Sequence, residues 1–319
     1  MKILITGGTG FIGRYLVKNL NKKYPNSNIL ILIRKSFKDN IKKEYDGNKN
    51  IEFVYDMDIS KYDEIEPYFE NIDYVFHLAA TKKTSKKFSK EIFETNVIGT
   101  KNVIGASIKH KVKRIIYTSS TRILDGKNKI LNEKNIALEE NLKNYPYALS
   151  KLYAQRIIAK YSKQIIINTA IPSWVLGATN KDTPLLKFSK SFPYISPPGS
   201  TAIIDVRDLA EGLVLLMESK KIGSFIFSGS SLKYTNLIYK LSKKRSRGFV
   251  LPMCSKKAAT YFSQIYSSVF RNTNITPEVI SILYEEKEYS SQKANKELNW
   301  YPKYSLNQTI KNLRFKVNH

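Results

Sequence analysis

The chain opens Met1-Lys2-Ile3-Leu4-Ile5-Thr6-Gly7-Gly8-Thr9-Gly10-Phe11-Ile12-Gly13, and the reading of this stretch decides the fold. Ile3 to Ile5, apolar on both faces, predicts a strand buried in a parallel sheet. Glycines follow at the spacing of a tight turn, and Phe11 to Leu20 then repeats Ile12, Leu16 and Leu20 at helical intervals. In a strand, glycine turn and helix of this kind, the glycines permit close backbone approach. The helix N-terminus presents unpaired N–H groups to a pyrophosphate. A dinucleotide is the expected ligand, held by Gly7, Thr9, Gly10, Phe11, Ile12 and Gly13.

Outward from this turn, the first half alternates short apolar runs with helical periodicity. Strands are predicted at Ile29 to Ile33, Ile51 to Tyr55, Tyr74 to Phe76, Val112 to Thr118 and Gln164 to Ala170, with helices near Ser60 to Glu70, Glu91 to His110 and Tyr147 to Ser162. That pattern is α/β: a Rossmann-like, doubly wound parallel sheet, with ligands beyond the carboxyl ends of its strands. After Pro172 the regularity fails. A strand Ala202 to Ile204, a helix to about Met217 and a strand Phe225 to Phe227 follow, the last two returning to the main sheet. The expected division is 1–170 plus 202–229 for the cofactor-binding domain, and 171–201 plus 230–319 for a smaller, mostly helical C-terminal substrate lobe.

The 319 residues carry 53 Lys plus Arg against 27 Asp plus Glu, a net charge of +26. A field of that sign attracts polyanions. The charge is mostly lysine and scattered rather than gathered in a reading motif, so no specific nucleic acid is expected. It leaves open peripheral contact with an anionic membrane. The apolar runs are strand-sized, no transmembrane segment is expected, and Met1 leads straight into a strand with no room for a leader. Cys254 has no internal disulfide partner, which suits a reducing compartment, and a cytoplasmic location is the expectation.

Cofactor choice turns on the end of the second strand. An acid there selects NAD, whereas Arg or Lys suits the 2′-phosphate of NADP. The sequence reads Leu32-Ile33-Arg34-Lys35 with no carboxylate until Asp39. NADP(H) is therefore expected, with Arg34 as phosphate partner, Lys35 a second partner or plain solvated surface, and NAD(H) the alternative. Further on, Tyr147 and Lys151 stand four apart and share a helical face. Lys151 can stabilise a Tyr147 phenolate and hold ribose hydroxyls, making the tyrosine an acid or base near neutrality. Thr118-Ser119-Ser120-Thr121 ends the fifth strand, where the Ser120 hydroxyl can polarise a carbonyl.

Together these residues resemble the extended short-chain dehydrogenase/reductase family, the NAD-dependent epimerase/dehydratase superfamily. The resemblance rests on Gly7 to Gly13, Asp58-Ile59, Phe76-His77-Leu78-Ala79-Ala80, Asn96-Val97-Ile98-Gly99-Thr100, Tyr117 to Ser120, and Tyr147 with Lys151. It implies that Ser120, Tyr147 and Lys151 are catalytic. It also implies that Asp58 and Ile59 contact adenine, that Ala79, Ala80 and Pro172 line the cofactor bed, and that Asn96 supports the site. Ile204-Asp205-Val206-Arg207-Asp208-Leu209-Ala210 is similar to the dihydroflavonol-reductase-like and beta-hydroxysteroid-dehydrogenase-like group, where many epimerases carry Val-Asp-Asp. Ile171 precedes Pro172 where many sugar-nucleotide enzymes have Arg-Pro. The family's frequent pairing implies a homodimer, although no interface is legible in the sequence.

The expected activity is NADP(H)-dependent reduction of a ketone or aldehyde, or alcohol oxidation in reverse, on a small-molecule substrate. The alternatives are a nucleotide-sugar epimerase or dehydratase, and a non-catalytic cofactor-binding protein. Thr121, Trp174, Phe188 and Tyr194, with Phe192, are candidates for the substrate wall, the aromatic ones reading equally as core. Lys82, Lys83, Lys86 and Lys87 read as a solvated loop or as a contact for an anionic substrate. His77 has no Cys, His or carboxylate cluster around it in sequence, and no metal site is assigned.

Overall fold

The computed structural model describes residues 1–34, 45, 47–82, 89–178, 194–241, 250–252, 255–269 and 277–315. Its strands are β1 (Lys2–Thr6), β2 (Asn28–Leu32), β3 (Ile51–Val54), β4 (Tyr74–His77), β5 (Arg114–Thr118), β6 (Ile130–Leu131), β7 (Ile167–Pro172), β8 (Trp174–Leu176), β9 (Tyr194–Ser196), β10 (Ser200–Asp205), β11 (Ser224–Phe227), β12 (Ser230–Lys233), β13 (Val250–Pro252) and β14 (Glu288–Tyr289). The helices of the first part are α1 (Phe11–Lys23), α2 (Tyr62–Ile65), α3 (Lys90–Phe93), α4 (Gly99–Lys109), α5 (Glu139–Leu142), α6 (Pro146–Tyr161) and α7 (Val206–Glu218). Those of the second are α8 (Tyr234–Leu241), α9 (Lys256–Val269), α10 (Pro277–Leu283), α11 (Gln292–Leu298) and α12 (Leu306–Phe315).

Seven parallel strands form the main sheet in the order β11-β7-β5-β4-β1-β2-β3. The chain winds one way from β1 to β3 and then the other way from β4, so the order reverses between β1 and β4. Thr6 there lies opposite His77, and a crevice opens beyond both strand ends. Successive β1 side chains point to opposite faces. Ile3 and Ile5 join Leu16, Val17 and Leu20 of α1 and Leu209, Leu213 and Met217 of α7. Leu4 joins Ile65 of α2, Val103 and Ile104 of α4, and Ala154 and Ile158 of α6. Helices thus cover both faces, as the apolar runs require.

Departures from the expected elements have local causes. The helix expected over Ser60 to Glu70 is α2 followed by a 3-10 turn, Glu66–Phe69, with Pro67 in its first turn. Pro67 offers no N–H for an α-helical bond. The fifth strand begins at Arg114 because Lys111 turns the chain with φ 54°. β10 hydrogen-bonds β8 in parallel and β12 antiparallel, forming a second sheet. Of residues 202–229, β11 is the strand that enters the main sheet, beside β7, while α7 packs on α1 beneath it. A separate cluster of Leu176, Ile203, Leu237, Ile238, Leu283, Ile310 and Leu313 forms the core of the smaller lobe.

The two parts are tied near the C-terminus. Asn299 ends α11 at φ 50°, turning Trp300 inward until it is 2% exposed. Its ring meets Phe227 edge-on at 4.9 Å, and its indole N–H donates to the Asp208 carbonyl at 3.1 Å. Trp300→Ala is expected to cost about 3–5 kcal/mol, the scale for emptying a buried aromatic site. Trp300→Phe keeps part of the packing and loses the hydrogen bond, so its loss is smaller. Urea unfolding of the variants beside the parent measures both.

Candidate active site

The glycine turn lies at the reversal point. Gly7 has φ +74°, and a Cβ on it would fall 2.6 Å from the Ala79 backbone nitrogen. A Cβ on Gly13 would fall 2.3 Å from the Gly7 carbonyl oxygen. Both positions exclude side chains through backbone contact. Gly10 donates to the Gly7 carbonyl at 3.0 Å and begins α1 with no side-chain cap and no acid in the first turn. Thr9 and Gly10 face outward, Ile12 packs into the core, and Phe11 meets Tyr15 edge-on at 6.1 Å. The uncapped helix end beside Ala79 and Ala80 fits a pyrophosphate.

Asp58, Ile59 and Arg34 follow the ends of the neighbouring strands β3 and β2. Asp58 Oδ1 accepts from the Ser60 N–H at 2.9 Å and the Ser60 hydroxyl at 2.8 Å. Ile59 is buried against Gly99, where a Cβ would come within 2.7 Å of its Cδ1. Arg34 follows the buried Ile33 with its side chain 55% exposed, and an oxygen of Glu91 lies 3.9 Å from it. The sequence reading missed this carboxylate, because Glu91 is brought to strand two only by folding.

The Ser120, Tyr147 and Lys151 set gathers around the end of β5. Ser120 caps the 3-10 turn Thr121–Ile123, its hydroxyl accepting from the Arg122 N–H at 3.3 Å. Tyr147 and Lys151 lie one turn apart on α6, with Pro146 in the first turn of the helix. The buried Lys151 Nζ donates to the Thr118 carbonyl at 2.8 Å and stands 4.7 Å from the Tyr117 ring centre. Burial, helped by the charge of Lys82, lowers its pKa to about 7. Lys82 itself lies 6.0 Å from the Tyr147 ring centre. Tyr117 is held well above the ordinary tyrosine range by burial and then by Tyr147. Tyr147, Lys151 and the turn after β5 therefore share one electrostatic neighbourhood.

Asn96 fixes this neighbourhood. It lies in a π-helical turn, Glu94–Ile98, between α3 and α4, a local form frequent at functional sites. Its side chain donates to the Thr81 carbonyl at 3.0 Å and to the Ser150 hydroxyl at 2.9 Å, and accepts from the Thr81 N–H at 2.8 Å. Ser150 in turn donates to the Tyr147 carbonyl at 2.7 Å. The loop after β4 is thereby tied to the first turn of α6.

The hydroxyls of Thr118, Ser119 and Ser173 are buried without a hydrogen-bond partner among the described residues. They lie where β5 and β7 end, with Pro172 the last residue of β7. Thr121 is buried beside Ser120, and Trp174 packs against the core of the smaller lobe. Tyr194 lies in β9, paired with Val250. Lys35, Asp39, Lys83, Lys86, Lys87, Phe188, Phe192 and Cys254 lie outside the described residues. Among the described residues no group of three His, Cys, Asp or Glu is placed to hold a metal ion, and no helix is long and apolar enough to cross a membrane.

The reversed parallel sheet and the glycine cradle at its reversal point define a Rossmann-like α/β fold. The NAD dependent epimerase/dehydratase family model matches residues 3–190, and the chain belongs to that family of NAD(P)-dependent enzymes. It is 28% identical over 267 residues to the dTDP-D-glucose 4,6-dehydratase of Dictyostelium discoideum, covering 74% of this chain and 60% of the relative. The chain thus spans about three-fifths of that relative's length. It is 27% identical over 251 residues to the anthocyanidin reductase of Arabidopsis thaliana, covering 69% of this chain and 73% of the relative. Among solved structures, the UDP-glucose 4-epimerase of Thermotoga maritima superposes with TM-score 0.77 at 19% identity, covering 100% of this chain and 99% of that one. It shares the fold.

His77 supplies a test of the frame around the site. Its ring nitrogens lie 2.7 Å from the Thr6 hydroxyl and 3.0 Å from the Thr100 hydroxyl. Burial, then the charge of Lys151, depresses its pKa to about 3. An unfolded histidine titrates near ~6.5, so between these values the unfolded chain binds the additional proton. Stability from this group rises with pH through that window and is lost as pH falls. Melting temperature is expected to fall between about pH 6.5 and 5, above the carboxylate range, with a flatter slope in His77→Asn.

Proposed function

We propose that the protein is an NADP(H)-dependent reductase of a ketone or aldehyde, oxidising the corresponding alcohol in reverse. The observation that carries this reading is the buried Lys151 ammonium, held by the Thr118 carbonyl one helical turn from Tyr147 and close to the turn bearing Ser120. In this reading the Ser120 hydroxyl donates to the substrate carbonyl. Tyr147 delivers the proton, and Lys151, with a pKa near neutrality, biases the phenol toward release and holds ribose hydroxyls. Asn96 and Ser150 keep the first turn of α6 in place. A bound nicotinamide dinucleotide supplies the hydride.

The residues present suit that cofactor. Gly7, Thr9, Gly10, Phe11, Ile12 and Gly13 would hold the pyrophosphate, with Ala79 and Ala80 against it and Asp58 with Ile59 at the adenine. Pro172 would border the nicotinamide, and the unpartnered hydroxyls of Thr118, Ser119 and Ser173 would serve its carboxamide. Arg34 would take the 2′-phosphate, with Glu91 competing for its guanidinium. The main sheet and its helices form the cofactor-binding part, while the smaller lobe covers the substrate. A nucleotide-sugar epimerase or dehydratase is the second reading, supported by the dehydratase relative at nearly the same identity as the reductase. Epimerisation and dehydration return the hydride to the same molecule, so net consumption of NADPH separates them from reduction.

Tyr147→Phe is expected to lower turnover roughly 100-fold, the scale of general acid catalysis, while cofactor affinity changes little. Steady-state rates and calorimetric titration measure the two. A packed aromatic without a chemical role would tolerate phenylalanine at full rate.

Arg34→Ala is expected to weaken NADP(H) relative to NAD(H) about tenfold, as loss of a charge-assisted contact implies. Glu91→Gln is expected to move the ratio the other way by freeing the guanidinium. Dissociation constants for both cofactors at several salt concentrations test the pair. A wild-type preference for NAD(H), or equal losses for both cofactors in Arg34→Ala, would overturn the NADP assignment.

A further inference from the structure

A cavity of about 330 Å³ lies between the turn after Ser120 and the segment joining α10 to β14, with Thr121, Arg122, Asp125, Lys256, Glu285 and Lys287 in its wall. Arg122 is its distinctive member. The backbone N–H of this residue donates to the Ser120 hydroxyl, while its side chain, 22% exposed, reaches toward the smaller lobe. The Tyr145 ring centre lies 5.8 Å from the guanidinium. Glu285, the acid paired with it, stands 3.6 Å away, beyond the ~2.7–2.9 Å of a charge-assisted hydrogen bond. Among the described residues the guanidinium donates no hydrogen bond, although its planar fork offers five N–H groups.

The neighbouring charges leave that fork available. Lys287 is hydrogen-bonded to Asp125 at 3.0 Å and stands 3.7 Å from Glu285. Glu285 is therefore shared between two cations as an ion-pair partner of each, at distances longer than a hydrogen bond to either. Lys256 adds a third cation at the rim, leaving the wall with an excess of one positive charge. Keeping a largely buried guanidinium without acceptors is costly unless a ligand supplies them.

We propose that this cavity is the distal subsite for the carbonyl substrate and that Arg122, backed by Lys287, binds a compact oxyanion on it, a carboxylate or a phosphate monoester. The proposal rests on the reductase reading for the fate of the carbonyl and is independent of it for binding. Arg122 lies two residues after Ser120 in the chain, which puts the anion subsite on the same turn as the hydroxyl that would bind the carbonyl.

The test uses the full chain and matched carbonyl pairs: succinic semialdehyde against butanal, and glyceraldehyde 3-phosphate against glyceraldehyde. NADPH or NADH oxidation gives kcat/KM, and calorimetry measures the binding of malonate and of inorganic phosphate. Wild type is expected to favour the charged member of at least one pair about tenfold or more, the usual worth of a charge-assisted contact. Arg122→Gln is expected to bring that ratio near one and abolish binding of the corresponding anion. Glu285→Gln removes the competing carboxylate and is expected to tighten anion binding several-fold. A response confined to the first pair identifies a carboxylate substrate, and one confined to the second a phosphate ester.

Melting curves establish that each variant is folded, and Arg122→Lys supplies a second variant, expected to retain part of the preference. Equal rates within both pairs, a ratio unchanged in Arg122→Gln, or weakening of anion binding by both Arg122→Gln and Glu285→Gln would overturn the proposal. The last result would make the pair a structural tie. Anion binding lost in Arg122→Gln with no carbonyl reduced would uphold the subsite and remove the reductase reading. Reduction without preference would do the reverse.

Discussion

The contact on which the rest of the molecule depends is the approach of Gly7 to the backbone of Ala79. A single methyl group on Gly7 would lie 2.6 Å from the Ala79 nitrogen, so two loops leaving adjacent strands meet with no side chain between them. Because those strands are β1 and β4, the meeting falls where the sheet reverses its winding. The start of α1 is thereby set over the crevice, and the chain beyond Ala80 is aimed at Asn96. Close packing at Gly13 then seats α1 on the same turn.

From that contact the site extends by short polar links. Asn96 reads the backbone of Thr81 on one side and the Ser150 hydroxyl on the other, transferring the position of the loop after β4 to the helix bearing Tyr147 and Lys151. Lys151 then bonds the end of β5. Each link is buried, where an unmatched polar group is expensive. The network consequently specifies one arrangement. His77, wedged between two hydroxyls and kept uncharged by burial, belongs to this frame.

Much of this was legible in the sequence because it follows from local pattern. The apolar runs of β1, β2 and β4, the glycine turn and the four-residue spacing of Tyr147 and Lys151 are all set by residues close in the chain. The π-turn around Asn96 was not legible, since its apolar spacing departs from that of an α-helix by only one residue within a turn. Nor was Glu91 beside Arg34, which the sheet brings together from distant segments. The same limit applied to the wall opposite Ser120, where Arg122 and Asp125 come from one end of the chain's middle and Glu285 and Lys287 from near its C-terminus. Strand β10 was found, but periodicity alone could not show that it pairs with β8 and β12 instead of entering the main sheet.

The packing of α1 on α7 bears on how the chain is made. Leu16, Val17 and Leu20 leave the ribosome well before Leu209, Leu213 and Met217, which form part of the native cover for that face. At a synthesis rate of about 5–20 residues per second, roughly 10 to 40 seconds separate the two. Throughout that interval the nascent chain displays an apolar stripe whose final partner does not yet exist. Such exposure invites aggregation. The helix that opens on the glycine turn thus waits for nearly two hundred further residues before part of its shelter exists.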